Sequence, residues 1–268
     1  MTMNFRRGFT LVEAIVVIAI TGVVAAATAS FIRAPIQGYV DAARRAELTD
    51  LADTALRRMT RDIRTALPNS IRITTAGGVT YLEYLQTSGG GRYRSEVDSS
   101  GAGNVLDFTA ADSSFDVIGP IPALAAGDSI VVFNLNSAPL VTTSNAYFGD
   151  NRAAYASATA STITLAAAKL FPFSSPGKRF QVVQYAVTYA CNPGAGELRR
   201  YWNYGITTAQ PTPPATTNNA LLAQNVTACS FTYNEVNQRT AVLALSLQLT
   251  QSGESVGLFQ QVHVNNVP

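Results

Sequence analysis

The sequence predicts an α+β fold in which one long N-terminal helix precedes an antiparallel β-sheet domain. An apolar run with a single charged residue, Glu13, covers residues 9–32, and hydrophobic residues recur at three- and four-residue steps over residues 48–67. From Ser70 onward the hydrophobic runs are short, rich in β-branched and aromatic residues, and separated by Gly, Pro, Asn and Ser. The hydrophobic period therefore changes from helical to strand-like near Pro68.

The composition of the chain limits the function classes to consider. The chain has 268 residues, of which 47% are hydrophobic and 13% charged, so it can bury a sizeable core in one large or two small domains. Arg6 and Arg7 account for its formal charge of +2, because the other 17 basic residues balance 17 acidic ones. No global basic field remains to attract nucleic acid, which we do not expect as a partner.

The apolar run over residues 9–32 is long enough to cross a membrane, since a helix needs about 20 residues to span the hydrocarbon layer. Arg6 and Arg7 precede it and should stay on the cytoplasmic side by the positive-inside rule. We therefore expect a transmembrane helix over residues 9–32 that contacts membrane lipid, with the rest of the chain outside the cytoplasm.

Two other interpretations of this run are open at this point. A secretory signal peptide has the same basic start, and Ala25, Ala27 and Ala29 offer small-residue cleavage positions near the end of the run. A buried core helix is the third interpretation, but the run is longer than ordinary buried helices and has basic residues only at its front. The residues around Gly8 decide between these interpretations.

The segment "RRGFTLVEAIVVIAI" resembles the class III signal of type IV prepilins and type II secretion pseudopilins. The resemblance implies that residues 1–8 are a leader and that a membrane-embedded prepilin peptidase cuts between Gly8 and Phe9. It also implies that the new amino group of Phe9 is methylated and that the apolar helix is retained. Glycine suits the cut because a backbone without a side chain can approach a protease closely.

Glu13 is the unusual residue of this segment, because a charge at the centre of a membrane helix costs about 2.5 to 3.5 kcal/mol. The resemblance implies that Glu13 pairs with the Phe9 ammonium group of a neighbouring subunit in a filament. A paired charge is tolerable where an isolated one is costly, so this pairing would favour the correct axial register. The alternative is that Glu13 only extends to the membrane interface.

Residues 33–67 are predicted to form an amphipathic, periplasmic continuation of the helix. Pro35 and Gly38 are expected to interrupt and kink it where it leaves the bilayer. The apolar stripe continues to Leu67, and Pro68 is expected to stop the helix. We expect this half of the helix to cover one face of the sheet.

Residues 68–268 are predicted to form the antiparallel β-rich globular domain. A tight turn, "SGE", suits a hairpin between the last two predicted strands. The predicted strands are "SIRITT", "VTYLEYL", "VLDFT", "SIVVFNL", "STITL", "FQVVQYAVTYA", "ELRRYWNY", "VTACSFTYN", "AVLALSLQLTQ" and "VGLFQQVHVNN".

Two long segments between these strands are predicted to be loops. Residues 87–104 are rich in Gly and Ser and are expected to be flexible; Asp98 and Asn104 could offer oxygens to calcium, but no EF-hand spacing supports such a site. Residues 207–220 contain several prolines and are expected to form a stiff exposed loop. Neither segment indicates a second domain boundary.

The two cysteines, Cys191 and Cys229, agree with an oxidising compartment, and we expect a disulfide between them. A bridge that closes this loop would add about 4 kcal/mol in the chain-entropy model. The alternative is a pair of free buried thiols. Zinc is not expected, because the sole histidine, His263, cannot complete a usual set of ligands.

The sequence offers no catalytic site, metal site or cofactor site. It has no nucleophile elbow, no phosphate-binding Gly-Lys-Ser/Thr loop and no cluster of metal ligands. His263 lies in a strand-like run and is expected to be structural. The segment "LRRYWNYG" interleaves Arg199 and Arg200 with aromatic residues, which can stack on nucleotides or sugars or can simply form a strand with an aromatic inner face.

Three C-terminal segments narrow the family. The segments "VTYACNPGAGELRRYWNYGI", "VTACSFTYN" and "LFQQVHVNNVP" resemble the MshO-type minor pilin of the mannose-sensitive haemagglutinin (MSHA) pilus system, which is related in architecture to the J-type minor pseudopilin of type II secretion. Residues 75–173 lie outside this resemblance. The expected layout is that of a pilin. At 28.4 kDa the chain is bulky for dense packing along a fibre, which favours a minor position near the tip.

The expected function is therefore that of a non-enzymatic minor pilin that initiates or caps a type IV pilus. The resemblance implies major and minor pilins, the prepilin peptidase and the inner-membrane assembly platform as partners. It places the chain in the bacterial inner membrane with its C-terminal domain in the periplasm, or on the pilus surface after assembly. A J-type pseudopilin and a tip adhesin or DNA-uptake module are the alternatives.

Overall fold

The computed structural model describes residues 8–237 and 240–268. These residues form one helix and twelve strands, the α+β arrangement that the sequence predicts. Two compact units divide the helix between them, Met1–Glu47 and Leu48–Pro268. The helix α1 covers Leu11–Ile63. The strands are β1 Arg72–Ala76, β2 Val79–Tyr93, β3 Asp112–Ile118, β4 Ser129–Val132, β5 Arg152–Ala158, β6 Thr162–Lys169, β7 Arg179–Asn192, β8 Glu197–Tyr204, β9 Asn219–Gln224, β10 Val226–Asn237, β11 Thr240–Gln251 and β12 Glu254–Asn265.

The helix α1 runs without a break through Pro35 and Gly38, so the predicted interruption at these residues is wrong. Proline removes one backbone hydrogen bond of a helix, whereas a break would leave several backbone groups unpaired at each new end. The continuous helix is therefore the less costly solution.

The helix ends at Ile63 rather than at Leu67, which corrects the predicted C-terminus. The Thr65 hydroxyl donates to the Asp62 carbonyl at 2.6 Å, which closes the last turn. The Leu67 N–H then donates to the Leu85 carbonyl at 2.8 Å. Leu67 thus already belongs to the edge of the sheet, although its side chain continues the apolar stripe of the helix.

The strands form two antiparallel sheets. The nine-stranded sheet has the order β1-β2-β3-β6-β5-β4-β7-β8-β9, and β2 also pairs with β7. Because of this extra pairing, the six strands β2, β3, β6, β5, β4 and β7 close into a ring. The other sheet has the order β10-β11-β12, and the predicted "SGE" hairpin joins its last two strands.

Several predicted loops and strands differ from the structure. Residues 87–93 continue β2 along β7 instead of forming a flexible loop. Gly91 lies there opposite Phe180, and a Cβ at Gly91 would lie 2.8 Å from the Phe180 ring, so this glycine serves close packing rather than flexibility. The predicted strand "VLDFT" is a turn in which Asp107 accepts the Thr109 N–H at 2.7 Å. Strands β3, β5 and β9 were not predicted.

The Leu48–Pro268 unit has two large clusters of buried hydrophobic residues. In the first, the apolar face of α1 packs against both sheets, as expected for a helix that covers a sheet. The second fills the inside of the six-stranded ring. The helix contributes Leu48, Ala52, Ala55, Leu56, Met59 and Ile63 to the first cluster.

Candidate functional site

The predicted cleavage site lies just before α1 and is exposed. Gly8 and Phe9 precede the first helical residue, and the Phe9 side chain is 78% exposed. In the part of the chain that the structure describes, nothing lies within 4 Å of an ideal Cβ placed on Gly8. The peptide bond between the two residues is therefore open to an enzyme. The leader arginines Arg6 and Arg7 lie outside the described residues.

Thr10 and Glu13 form the N-terminal cap of α1, which was not predicted. The Glu13 N–H donates to the Thr10 hydroxyl at 3.2 Å, and the Ala14 N–H donates to the Thr10 carbonyl at 3.2 Å. The spacing Thr-x-x-Glu is the signature of a capping box and would have revealed the cap. Glu13 also lies in the first turn, where the helix dipole favours a negative charge. Glu13 thus has a local role beside the expected intersubunit pairing.

The N-terminal part of α1 exposes a continuous apolar surface. Among the described residues, α1 is the one helix long and apolar enough to cross a membrane. Two of its hydroxyl groups are satisfied within the helix: Thr21 donates to the Val17 carbonyl at 2.6 Å and Thr28 to the Val24 carbonyl at 2.8 Å. The large exposed apolar side chains are Phe9, Leu11, Val12, Ile15, Val16, Val17, Ile18, Ile20, Val23, Val24, Phe31, Ile32, Ile36, Tyr39 and Val40.

Residues 3–29 match the family model described as the prokaryotic N-terminal methylation motif. The chain carries a type IV pilin-like prepilin signal. The match includes Gly8, Phe9 and Glu13, and it supports a pilin-like or pseudopilin protein that is a structural subunit rather than an enzyme. Comparisons with curated proteins and with solved structures found no match.

The prepilin signal and the rest of the fold agree with each other. One long N-terminal helix followed by an antiparallel β-sheet domain is a pilin-like layout. The signal together with the single apolar helix indicates membrane anchoring, and the signal type indicates association with other pilins and with the prepilin peptidase.

The last turn of α1 is held to the sheet by charged and polar groups. Arg200 on β8 donates to the Asp62 carboxylate at 2.8 Å, and the Tyr189 hydroxyl on β7 donates to the same oxygen at 2.7 Å. Burial raises the pKa of Tyr189, and the nearby Tyr84 and Asp62 raise it further, so the phenol stays a neutral donor. The helix that carries the prepilin signal is thereby fixed at its far end.

A second buried ion pair joins β1 to β2. Arg72 donates to the Glu83 carboxylate at 2.8 Å and stacks over the Tyr147 ring, with its guanidinium carbon 3.6 Å from the ring centre. The remaining Arg72 nitrogens donate to the carbonyls of Thr208 at 2.6 Å and Thr207 at 3.0 Å. Burial raises the pKa of Glu83, and the Arg72 guanidinium opposes that rise. This pair fixes residues 207 and 208 against the sheet.

The inner face of the basic and aromatic strand β8 belongs to the core, and both arginines of the strand are bound to carboxylates. Arg200 is 8% exposed and is bound to Asp62. Arg199 binds Glu197 at 2.6 Å. Trp202 is packed against the first hydrophobic cluster. Both guanidinium groups are thus already paired. Of the two interpretations of this segment, the structure supports a strand with an aromatic inner face.

Cys191 and Cys229 form the predicted disulfide, with their Cα atoms 6.5 Å apart. Cys191 lies on β7 and Cys229 on β10, so the bond joins the nine-stranded sheet to the three-stranded sheet. Cys191 is fully buried, which protects the bond from solvent reductants.

The other candidate residues lie apart from one another. Asp98 accepts hydrogen bonds from the Ser100 hydroxyl and from the N–H groups of Ala102 at 2.9 Å and Ser100 at 2.8 Å, and these bonds, with the hydroxyl first, hold its pKa below the usual range. His263 lies exposed on β12. Within residues 8–237 and 240–268, no group of three or more His, Cys, Asp or Glu side chains is arranged to hold a metal ion.

Proposed function

We propose that the chain is a minor pilin of the MSHA type that initiates or caps a type IV pilus. The observation that carries this proposal is the methylation motif over residues 3–29, which leads directly into the exposed apolar part of α1. The C-terminal resemblance to MshO-type minor pilins supports the subfamily. The alternative is a J-type pseudopilin of type II secretion, a protein that carries the same type of signal.

The proposed sequence of events begins in the inner membrane. Residues 9–32 span the bilayer with the leader, residues 1–8, on the cytoplasmic side and the domain after the span in the periplasm. The peptidase removes the leader and methylates Phe9. The subunit then leaves the bilayer at the assembly platform, and its apolar helix surface, until then covered by lipid, becomes covered by the helices of neighbouring pilins.

Glu13 guides the subunit when it passes from the bilayer into the filament. The new ammonium group at Phe9 and the Glu13 carboxylate lie four residues apart at the start of the helix. Because an isolated charge in an apolar surrounding is costly, an incoming Glu13 is best accommodated next to the Phe9 ammonium group of its neighbour. This arrangement selects one axial register over others.

The bulk of the β domain supports a minor rather than a major position. The six-stranded ring lies largely within the residues outside the C-terminal resemblance, and it adds a second core to the helix-covered sheet. A subunit of this size is accommodated more easily at the end of a filament than at every position along it.

Surface pilus counts in a strain without this chain test the proposal. Wild-type chain should restore piliation, and a Gly8→Leu variant should not, because a branched side chain would obstruct cleavage. Gly205→Leu is the matched control, since Gly205 also lies in open space but after β8, away from the cut and from the apolar helix. Normal piliation without the chain, combined with lost protein secretion, would favour the pseudopilin role instead.

A further inference from the structure

Arg92 on β2 and Arg179 on β7 lie directly opposite each other on the ring of six strands. Opposed residues of antiparallel strands point to the same face, with their Cβ atoms about 5 Å apart. Their neighbours Tyr93 and Phe180 are buried inside the ring, so the two arginines occupy its outer face, where both are exposed. Like charges in this arrangement destabilise a sheet.

Neither guanidinium group has an ion pair or hydrogen bond within the described part of the chain. Two other arginines of the nine-stranded sheet, Arg72 and Arg200, each bind a carboxylate at 2.8 Å. The next arginine along the chain, Arg94, lies 3.4 Å from Asp116. That carboxylate also accepts the Asn104 N–H and the Thr162 hydroxyl and is not free to serve a second arginine.

A pocket of about 330 Å³ lies at the two arginines. Gly90 and Gly91 supply bare backbone to its wall, and Gln181 adds a side-chain amide. A Cβ on Gly90 would lie 2.5 Å from the Gln181 side-chain oxygen and 2.6 Å from the Phe180 carbonyl oxygen. A side chain at this position would therefore crowd the pocket, and the glycine keeps it open.

We infer that Arg92 and Arg179 bind a phosphate-type oxyanion in this pocket. The planar guanidinium fork matches phosphate oxygens in a bidentate manner. Two guanidinium groups on one face are neutralised best by a ligand that carries close to two negative charges, as phosphate does near neutral pH. Free phosphate and the phosphomonoester headgroup of phosphatidic acid share this chemistry. The inference does not depend on the proposed function in a filament.

A titration of the full-length chain with inorganic phosphate in neutral detergent micelles tests the inference. Isothermal titration calorimetry at constant ionic strength, with sodium chloride as the reference salt, should give saturable binding of one phosphate per chain. Arg92→Gln and Arg179→Gln should each weaken binding by about tenfold or more, because each removes charge-assisted hydrogen bonds. Arg199→Gln is the matched control and should bind like the wild type, since Arg199 is already paired with Glu197.

The thermal midpoint without phosphate separates a binding role from a structural one. Each Arg→Gln variant should be at least as stable as the wild type, because the change removes repulsion between like charges. Phosphate should raise the midpoint of the wild type but not of the double variant. Equal phosphate binding by wild type and double variant, or a midpoint that falls in both single variants without phosphate, would overturn the inference.

A competition experiment distinguishes the two sources of the phosphate group. Short-chain phosphatidic acid, added to the same micelles, should displace inorganic phosphate if a lipid headgroup is the natural ligand. Phosphate binding that this lipid leaves unchanged would assign the pocket to the free ion.

Discussion

Asp62 and Arg200 connect the last turn of α1 to β8 through an ion pair of 2.8 Å, although 138 residues separate them in the chain. A carboxylate near the C-terminus of a helix is opposed by the helix dipole, and Arg200 offsets this. The pair adds a polar attachment at the end of α1 to the apolar packing of Leu48, Leu56 and other helix residues on the β domain.

Removing the Asp62 carboxylate should destabilise the domain. Asp62→Ala leaves Arg200, which is 8% exposed, with an unpaired charge, and it removes the acceptor of the Tyr189 hydroxyl. We expect a loss of about 3 kcal/mol in the free energy of unfolding, measured by urea denaturation.

Asp53→Ala is the control for this experiment. Asp53 also pairs with an arginine, Arg57, at 2.7 Å, but both side chains are largely exposed. Its replacement should cost less than about 1 kcal/mol. Equal losses for the two variants would contradict the structural role of the Asp62 pair.

Glu83 should make stability depend on pH in a definite direction. Burial raises the pKa of Glu83 above its value in the unfolded chain. A raised carboxyl pKa gives a contribution to stability that is fully present below the unfolded pKa, about 4.3, and is lost as pH rises through the folded pKa. The stability of the wild type relative to Glu83→Gln should therefore decrease as pH rises from 4.

Urea denaturation of both proteins at several pH values between 4 and 7 measures this difference. Other titrating groups are common to both proteins and cancel in the comparison. A difference that increases with pH would mean that the attraction to Arg72 outweighs the burial of Glu83, contrary to the expected direction.

Gly91 should tolerate no side chain, unlike its neighbour Gly89. A Cβ at Gly91 would lie 2.8 Å from the Phe180 ring inside the six-stranded ring, whereas a Cβ at Gly89 would meet Pro122 at an ordinary 3.5 Å. Gly91→Ala should lower the free energy of unfolding by about 1 to 3 kcal/mol. Gly89→Ala should cost less, and thermal melts of the two variants with the same midpoint would argue against the close packing at Gly91.

Local sequence patterns account for what could be predicted of the fold. The apolar run and the helical stripe extend over dozens of residues, so the helix was recognisable. Strands such as β11 show strict alternation of buried and less buried residues. By contrast, β5 reads "RAAYASA", and its small residues carry no strong alternation. Its strand conformation depends on pairing with β4 and β6, which no local pattern reveals.

The residues of the candidate site could likewise be predicted only where a local sequence pattern identifies them. Gly8, Phe9 and Glu13 lie within six residues, so a short motif identifies them. The Arg92 and Arg179 pair depends on the register of β2 against β7, which are far apart in sequence. The three glycines before Arg92 suggested a loop, because glycine is typical both of flexible segments and of close backbone packing.

Glu13 has two roles that substitutions can separate. If its charge pairs with the Phe9 ammonium group of a neighbour, both Glu13→Ala and Glu13→Gln should be cleaved normally but incorporated poorly into pili. Thr10→Ala removes only the hydroxyl that accepts the backbone N–H of Glu13. It should therefore weaken the first turn of α1 while leaving the Glu13 carboxylate in place.

Cross-linking of each variant to partner pilins, together with surface pilus counts, measures the Glu13 effect. Thr10→Ala should assemble better than Glu13→Gln. If Thr10→Ala and Glu13→Gln fail equally, or if both Glu13 variants assemble like the wild type, the charge has no pairing role.

The mass of the mature N-terminal peptide tests the central claim most directly. If the chain is a processed pilin-like subunit, peptide mass spectrometry of protein purified from the membrane should find a chain that begins at Phe9 and carries one added methyl group. The same peptide from a strain without the prepilin peptidase should retain residues 1–8. A mature chain that begins after Ala25, Ala27 or Ala29 would instead establish an ordinary signal peptide and contradict the account.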